Sequence, residues 1–398
     1  MINFALDEDQ QLIQETVRKF AADVLRPRMR ELEKLGAVPD GLRRQFHELG
    51  LGLLDAPEAA GGLGASLVTA ALVHEELAFG DPGLAVALWA PHLAGQALLC
   101  LGDAAQQTRF LARFADTAGH ARLGAVAYAE RGAPLDGFHT TAQRRGDRWV
   151  LNGRKAFVVN GGIADLHVVF AQLDGTSGWA GAAAFVVEAG NPGLAAGERH
   201  ALLGLETVHA SEIVLTECEI PDGNRLLGGD DFLRATHRLL ARAGLMNAAR
   251  QVGLARAAYE FALAYTQERQ AFGKVIAHFQ AIAFTLAEMA MDLESARWMV
   301  WRAATELERE GKPTTTSTLE AIAHANEVAW RVADHGVQLL GGAGYVQDYP
   351  VEKWLRDTKA LALFGLPSEC ASLGVASAEL GHPIADGLPS SALQPFFT

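Results

Sequence analysis

The sequence predicts a mainly α-helical protein with a central β domain, and three observations predict it. Apolar residues recur at helical spacing through the first part of the chain. Short β-branched runs between Gly, Asp and Asn clusters fill the middle, and long amphipathic segments fill the remainder. We therefore predict an N-terminal helical domain over 1–118, an antiparallel β domain over 119–231, a C-terminal four-helix bundle over 232–382 and an irregular tail over 383–398.

Composition excludes several classes of protein. The 398 residues carry 34 basic and 47 acidic side chains, a net charge of −13, which does not suit binding to nucleic-acid phosphates. Three cysteines without CxxC spacing, and no HExxH pattern, argue against a disulfide framework or a metal site. The start lacks a secretory pattern, and we see no run of about 18 uncharged apolar residues. We therefore expect a cytoplasmic protein that does not enter a membrane.

In the N-terminal domain, helix signals begin at Asp7. Asp7 and Gln10 have the spacing of a capping box, and apolar residues then follow at helical intervals. Pro27 predicts the end of this first helix. A second helix is predicted over Val68–Phe79, after a glycine-rich break.

In the β domain, Asn152-Gly153 is a dipeptide typical of hairpin turns and predicts a turn after Trp149-Val150-Leu151. Further short strands are predicted from four β-branched runs, which are 156–159, 167–170, 184–187 and 213–215.

In the C-terminal part, four amphipathic stretches with short connections predict an antiparallel bundle. We place these helices at 233–265, 278–311, 315–341 and 350–380. A bundle of this size also offers a surface for self-association.

Motifs within this α–β–α order resemble those of the acyl-CoA dehydrogenase family. The resemblance runs from Phe4 to about Leu380, so it covers nearly the whole chain. The motifs in the bundle are Glu268-Arg269-Gln270-Ala271-Phe272-Gly273-Lys274, His278-Phe279-Gln280-Ala281-Ile282, Gln338-Leu339-Leu340-Gly341-Gly342-Ala343-Gly344 and Arg356-Asp357. Those in the β domain are Glu130-Arg131-Gly132-Ala133, Leu151-Asn152-Gly153-Arg154-Lys155 and Ile220-Pro221.

Membership of this family implies an oxidoreductase of fatty acid metabolism that is a flavoprotein with FAD and takes an acyl-CoA substrate. It also implies a tetramer and an electron-transfer flavoprotein as electron acceptor. In such enzymes a glutamate removes the proton α to the thioester and the β-hydride passes to the flavin. Hydrogen bonds to the thioester oxygen stabilise the enolate charge as it develops.

The catalytic glutamate of the family is missing from this sequence. Counted from Arg356, the usual base position is Gly365. A minority of the family carries the base on an earlier helix, just before an arginine, and those two positions are Ala243 and Gly244 here. We therefore assign no catalytic residue. Glu369, four residues past Gly365, is either a rearranged base or, in the more favoured reading, a solvated glutamate at a helix start.

The residues expected to contact the flavin ring and the pantetheine chain also differ from the family pattern. Five polar or basic positions hold apolar, rigid or acidic residues, and these are Ala129, Leu135, Val159, Glu206 and Pro367. Trp89 and His92 fall where the family lines the acyl pocket, although a core tryptophan and a capping histidine are equally good readings.

The contacts to the pyrophosphate and adenosine of FAD are, by contrast, retained. By resemblance they are Arg269, Phe272, Gln280, Gln338, Gly341 and Gly342. A guanidinium pairs well with phosphate oxygens, and glycines let backbone N–H groups approach them. In the family these residues reach the flavin held mainly by a neighbouring subunit. Taken singly, Arg269 could be a helix-end cation paired with a carboxylate, and Gly341–Gly344 could be only a helix stop.

Four functions stay open at this point. The chain could be a homomeric acyl-CoA dehydrogenase, which would be a homotetramer. It could instead be the base-lacking companion subunit of a heteromeric enzyme, which would be a heterotetramer. It could also be a flavin-dependent oxygenase on the same fold, which needs no base, or a non-catalytic binding or scaffold protein. Loss of a general base costs about 10²- to 10⁴-fold in rate, so the first alternative predicts a very slow enzyme.

Overall fold

The computed structural model describes residues 5–115, 122–132, 137–228, 231–310 and 314–382. Six helices form the first domain, in agreement with the sequence-based prediction. They are α1 (Glu8–Phe20), α2 (Met29–Leu35), α3 (Asp40–Glu48), α4 (Leu67–Gly80), α5 (Pro82–Leu101) and α6 (Ala104–Ala115).

The start of α1 is predicted correctly and its end is not. Asp7 accepts from the backbone N–H of Gln10, and the Gln10 side chain accepts from the Asp7 N–H, so both halves of the capping box form. Pro27, however, does not end the helical path. A π-turn over Ala21–Leu25 and a 3₁₀ turn over Arg26–Arg28 carry the chain into α2, because a proline near the start of a new turn lacks only an N–H that would be unpaired there.

Helix α5 corrects the expectation that no segment is apolar enough to cross a membrane. Pro82–Leu101 passes that test by length and composition. Its apolar residues are packed inside the protein, with 67% of the window buried, and they contact helices and strands of the neighbouring domains. The helix therefore has the burial of a core helix.

The middle domain is one eight-stranded sheet. Its strands are β1 (Gly124–Ala127), β2 (Thr141–Arg145), β3 (Arg148–Val159), β4 (Leu166–Leu173), β5 (Ala182–Glu188), β6 (Leu194–Arg199), β7 (Ala210–Pro221) and β8 (Arg225–Leu226). The order is β6-β7-β3-β2-β4-β5-β8, with β1 also on β4. Most pairs are antiparallel as predicted, but β1 and β2 each pair with β4 in parallel.

The hairpin predicted at Asn152-Gly153 is wrong. Strand β3 runs straight through these residues, and its register against β7 shifts between Leu151 and Gly153, as at a β-bulge. A Cβ on Gly153 would lie 2.6 Å from Thr140, so the glycine is required by close packing rather than by a turn. The actual turn lies at Gly146-Asp147, where Gly146 has φ +65°.

The C-terminal domain contains α7 (Phe232–Glu268), α8 (Gln280–Glu310), α9 (Thr316–Leu340), α10 (Val351–Leu361) and α11 (Ser368–Leu380), with the two-residue strands β9 (Gln270–Ala271) and β10 (Lys274–Val275) after α7. The predicted fourth helix is therefore broken in two, and the break holds Gly365 at φ +80°. The tail predicted over 383–398 lies outside the described residues, as does Leu135.

A buried ion triad joins the three domains next to this break. Lys353 Nζ on α10 donates to Asp81 at 2.7 Å and to Asp357 at 2.5 Å. Asp81 also caps α5, where it accepts from the Leu84 N–H, and Asp357 accepts from the Leu205 N–H of the β domain. The triad thus fixes where α10, and hence the chain leading to Gly365, lies.

We expect Lys353→Met to lower the free energy of unfolding by about 3–5 kcal/mol, because it leaves two buried carboxylates without their cation. Urea unfolding measures the loss. Lys359→Met is the matched control on the same helix: Lys359 is exposed and lies 3.5 Å over the Trp330 ring, a contact worth about 0.5–1 kcal/mol. Equal losses in the two variants would contradict the role of the triad.

Candidate functional site

The usual base position, Gly365, meets in the structure the residue next to the alternative base position, Ala243. A Cβ built on Gly365 would find Gly244 Cα at 3.5 Å, and Gly244 N at 3.8 Å, as its only neighbours within 4 Å. Around Gly244 itself the nearest atoms belong to Ile322 and Leu366. The nearest atoms around both glycines are therefore backbone or apolar side-chain atoms, and neither glycine nor Ala243 can itself supply a carboxylate.

Amide side chains hold the backbone of this break in place. Asn247 Nδ2 donates to the carbonyls of Leu361 and Phe364 at 2.9 and 3.1 Å. Its Oδ1 is buried and has no hydrogen-bond partner in the described part of the chain. Gln251 extends the arrangement through Thr358, which donates to Gln251 Oε1 at 2.8 Å. Neutral amides, not acids, support the base position.

Glu369 follows Gly365 at the start of the next helix. It lies in the first turn of α11 and is exposed, which matches the reading of a solvated helix-start glutamate. Its neighbour Ser368 instead points into the amide cluster, where its Oγ accepts from Asn326 at 3.0 Å.

Cross-helix contacts give the direction of the bundle helices. Along α7 and α9 the contacting pairs advance together, from Gly244–Ile322 through Gln251–Asn326 to Gly336 near Ala258, so these helices are parallel. Between α8 and α9 the pairs Arg302–Glu320, Ser295–His324 and Asp292–Arg331 advance in opposite directions, so these are antiparallel. The ends of α7 and α9 and the start of α8 thus lie at the same end of the bundle.

That end of the bundle carries all six residues predicted to contact the FAD pyrophosphate and adenosine. All are exposed, and they are Arg269, Phe272, Gln280, Gln338, Gly341 and Gly342.

Three of these residues show features that suit an anionic dinucleotide. No carboxylate among the described residues pairs with Arg269, which sets aside the helix-end ion pair as its explanation. Phe272 is 96% exposed and has φ +51°, so its ring lies in solvent on a strained backbone. Gly341 ends α9 with φ 59° and ψ −135°, a conformation open almost only to glycine, and no atom lies within 4 Å of a Cβ added there.

On the side predicted to face the flavin ring, the structure shows a half-exposed aromatic instead of hydroxyls. Phe157 is 52% exposed with φ +54°, its ring centroid lies 4.6 Å from that of His200, and Arg131 lies over it at 5.4 Å. Val159 and exposed Ala129 offer no side-chain hydrogen bond. Glu206 is engaged elsewhere, in an ion pair with Arg356 at 3.4 Å.

Trp89 and His92 lie in a buried cluster that the sequence reveals only in part. Both are on α5, so His92 is inside a helix and caps nothing. The Trp89 ring lies 4.5 Å from His92 and 4.1 Å from His74 on α4. Burial lowers the pKa of His74 far below its ordinary value and that of His92 to about 3, with the charge of Arg250 on α7 adding to both effects.

Sequence reasoning missed His74 and Arg250. Arg250 interrupts the apolar run Ala248, Ala249, Val252 on α7, and a single charged residue in such a run is the one signal that could have marked it. In the described residues no group of three or more His, Cys, Asp or Glu side chains is placed to hold a metal ion.

Comparison with known proteins bears on the whole chain. The models of the N-terminal, middle and C-terminal domains of acyl-CoA dehydrogenase match residues 7–118, 125–218 and 232–378. A cyclohex-1-ene-1-carbonyl-CoA dehydrogenase of Syntrophus aciditrophicus is 34% identical over 90% of this chain and 87% of its own length. The chain belongs to the acyl-CoA dehydrogenase family.

Solved structures of this family agree with the assignment. The butyryl-CoA dehydrogenase of Megasphaera elsdenii superposes with a TM-score of 0.89 at 32% identity, over 95% of this chain and 100% of its own. A glutaryl-CoA dehydrogenase of Mycobacterium smegmatis in complex with FADH2 gives 0.88 at 26% identity, over 95% and 96%. The predicted α–β–α fold and oxidoreductase class are thereby confirmed.

The buried imidazoles predict acid lability of this family member. An unfolded His92 takes up a proton near pH 6.5, whereas the folded one stays neutral to about pH 3, so its contribution to stability is lost as the pH falls below 6.5. We expect the loss of unfolding free energy between pH 7 and pH 5 to be about 2 kcal/mol smaller in His92→Gln than in the unaltered chain.

Urea titrations at the two pH values measure this difference. His278→Gln, which removes an exposed imidazole, is the control and should keep the full loss. If His92→Gln also keeps it, then His92 is not held neutral in the folded protein.

Proposed function

We propose that this chain is an FAD-binding member of the acyl-CoA dehydrogenase family that serves α,β-oxidation of an acyl-CoA thioester as the base-lacking companion of a base-containing subunit. The observation that carries the proposal is the meeting of Gly365 and Gly244. Gly365, the usual base position, lies against Gly244, the neighbour of the alternative base position Ala243, and none of these three residues carries a carboxylate.

The retained end of the bundle supports the companion role. Unpaired Arg269 and the open backbone at Gly341 suit phosphate oxygens, through a guanidinium fork and exposed N–H groups respectively. Solvent-exposed Phe272 suits contact with a group from outside this chain. By family resemblance these residues complete the flavin site of a neighbouring subunit, with an electron-transfer flavoprotein as acceptor and a tetramer as the assembly.

When bound, FAD would serve as the acceptor of the β-hydride. The side chains of this chain then have the tasks of holding and orienting. Arg269 neutralises pyrophosphate charge, and Asn247 fixes the backbone at Phe364, next to Gly365. Since no acid lies at Gly365, abstraction of the α-proton falls to the partner's own site.

Restoring the acid tests the missing base directly. We expect flavin-loaded Gly365→Glu to be reduced by butyryl-CoA at least about 100-fold faster than the unaltered chain, because a positioned general base contributes about 10²- to 10⁴-fold. The φ of +80° imposes a strain of about 1–2 kcal/mol on the new residue. Bleaching of flavin absorbance in a stopped-flow instrument measures the rate.

Gly365→Gln is the matched control, since it carries the same backbone strain without a base, and it should stay as slow as the unaltered chain. A glutamine variant as fast as the glutamate variant would show that the acid is not the missing element.

The companion role predicts a defect that appears in the complex. When this chain is assembled with a base-containing homologue, Arg269→Gln should weaken FAD binding by about 10- to 100-fold, which corresponds to loss of a charged hydrogen bond to phosphate. Fluorescence titration of FAD into the flavin-stripped complex measures the affinity. Arg302→Gln, on exposed α8 surface, is the control and should leave it unchanged.

Two results would contradict this role. One is unaltered FAD affinity in the Arg269→Gln complex. The other is fast acyl-CoA oxidation by the isolated homo-oligomer, which would make the chain a complete dehydrogenase. Oxygen consumption with reduced flavin and a non-thioester substrate would instead favour an oxygenase.

A further inference from the structure

Arg250 on α7 is a partly buried cation without a counter-ion among the residues that the structure describes. Its Nε is buried without a hydrogen-bond partner, and no ion pair or hydrogen bond of its guanidinium is found in the described part of the chain. Arg256, further along the same helix, has the counter-ions that a buried arginine normally has: it pairs with Glu75 at 2.8 Å and with Glu76 at 2.5 Å.

Gly253, one turn beyond Arg250 on α7, packs against the backbone of Glu75, the residue after His74 on α4, and this region holds further polar atoms without a partner. His74 is fully buried and neither ring nitrogen has a partner. His92 is 8% exposed with its Nδ1 unpartnered, and the buried Nε2 of nearby His47 is also unpartnered. An interior normally pairs almost all such atoms, and here the unpartnered nitrogens of His74, His92 and His47 lie close together.

The chemistry of the cluster fits an anion with several acceptor atoms. Neutral imidazoles each present one N–H, and a guanidinium presents a planar fork that matches a carboxylate. A cation that is partly withdrawn from water is costly without a partner, and an entering carboxylate would lower that cost while accepting the free N–H groups.

The surroundings favour an organic anion over an inorganic one. The Trp89 ring contacts both imidazoles, and the ring of Phe46 lies 5.9 Å from His92 and 6.3 Å from Trp89. A pocket that reaches His92 is lined by apolar Phe46 and Leu88 and by basic Arg43 and Arg122, and it does not extend to Arg250 or His74. An apolar wall beside charged and polar donors suits a hydrocarbon chain that ends in a carboxylate.

The position of the cluster on α7 agrees with this. Arg250 lies six residues beyond Gly244, the residue that meets the base position, which is about 9 Å along the helix axis. A group bound at Arg250 would therefore be remote from the thioester and at the far end of an acyl chain.

We propose that Arg250, His74 and His92 bind the terminal carboxylate of a dicarboxylic acyl group, so that the substrate class is the CoA monothioester of a dicarboxylic acid. This inference rests on the proposed function, because it places the carboxylate on an acyl-CoA thioester.

The test compares ligands of equal length on the flavin-loaded, full-length chain. Isothermal titration calorimetry measures binding of adipoyl-CoA against hexanoyl-CoA and of suberoyl-CoA against octanoyl-CoA. We expect at least one diacid thioester to bind about 10- to 100-fold more tightly than its methyl-ended partner, as expected for charged hydrogen bonds. Arg250→Met should abolish this preference, and Arg238→Met, which removes an exposed arginine of the same helix, should keep it.

A second measurement is independent of ligand and of activity. Because the charge of Arg250 is unpaired, the ligand-free Arg250→Met chain should melt at a higher temperature than the unaltered chain. A lower melting temperature, or failure to fold, would mean that Arg250 is already paired and would overturn the proposal.

The binding outcomes separate this inference from the proposed function. Methyl-ended thioesters that bind as tightly as diacid thioesters would overturn the carboxylate site and leave the proposed function standing. A preference that survives Arg250→Met would overturn the role of Arg250. Failure of every thioester to bind would overturn the proposed function itself, and the inference with it.

Discussion

The buried cation of Lys353 is the interaction on which the arrangement of the three domains depends. Its two carboxylate partners connect it to the other two domains. Asp81 caps the long apolar helix of the first domain, and Asp357 accepts a hydrogen bond from the N–H of Leu205 in the β domain. Burial of three charges is tolerable only because each is paired and hydrogen-bonded. The same helix, α10, ends just before the break at Gly365, so the ion triad also sets the backbone of the candidate site.

Fixing that backbone brings together positions that lie more than 100 residues apart in the sequence. Gly365 and Gly244 meet without side chains, and the polar groups that support them are the amides of Asn247 and Gln251. The opposite pattern holds at the far end of the bundle, where Arg269 and Gly341 are open to solvent. One chain thus retains groups suited to a shared dinucleotide and lacks the acid that its own site would need.

Much of this could be predicted from the sequence where the signal is local. The capping box at Asp7, the start of α7 at Phe232 and the stop at Gly341 each depend on neighbouring residues. The predictions at Pro27 and Asn152-Gly153 were wrong. Pro27 lies in a 3₁₀ turn that continues the helical path, and Gly153 lies at a β-bulge inside a strand. The sequence could not show that Arg250 and His74 lie near each other, since only the packing of α4 against α7 brings their helices together.

The most direct measurement of the central claim follows the acid–base step without the redox step. Butyryl-CoA is incubated in D₂O with the flavin-loaded chain alone, and proton NMR records loss of the α-proton signal. Since Gly365 supplies no carboxylate and only backbone atoms of Gly244 lie within 4 Å of an added Cβ in the described part of the chain, the account predicts exchange no faster than in a solution without protein. Rapid exchange catalysed by the isolated chain would show that it carries a base of its own and would contradict the account.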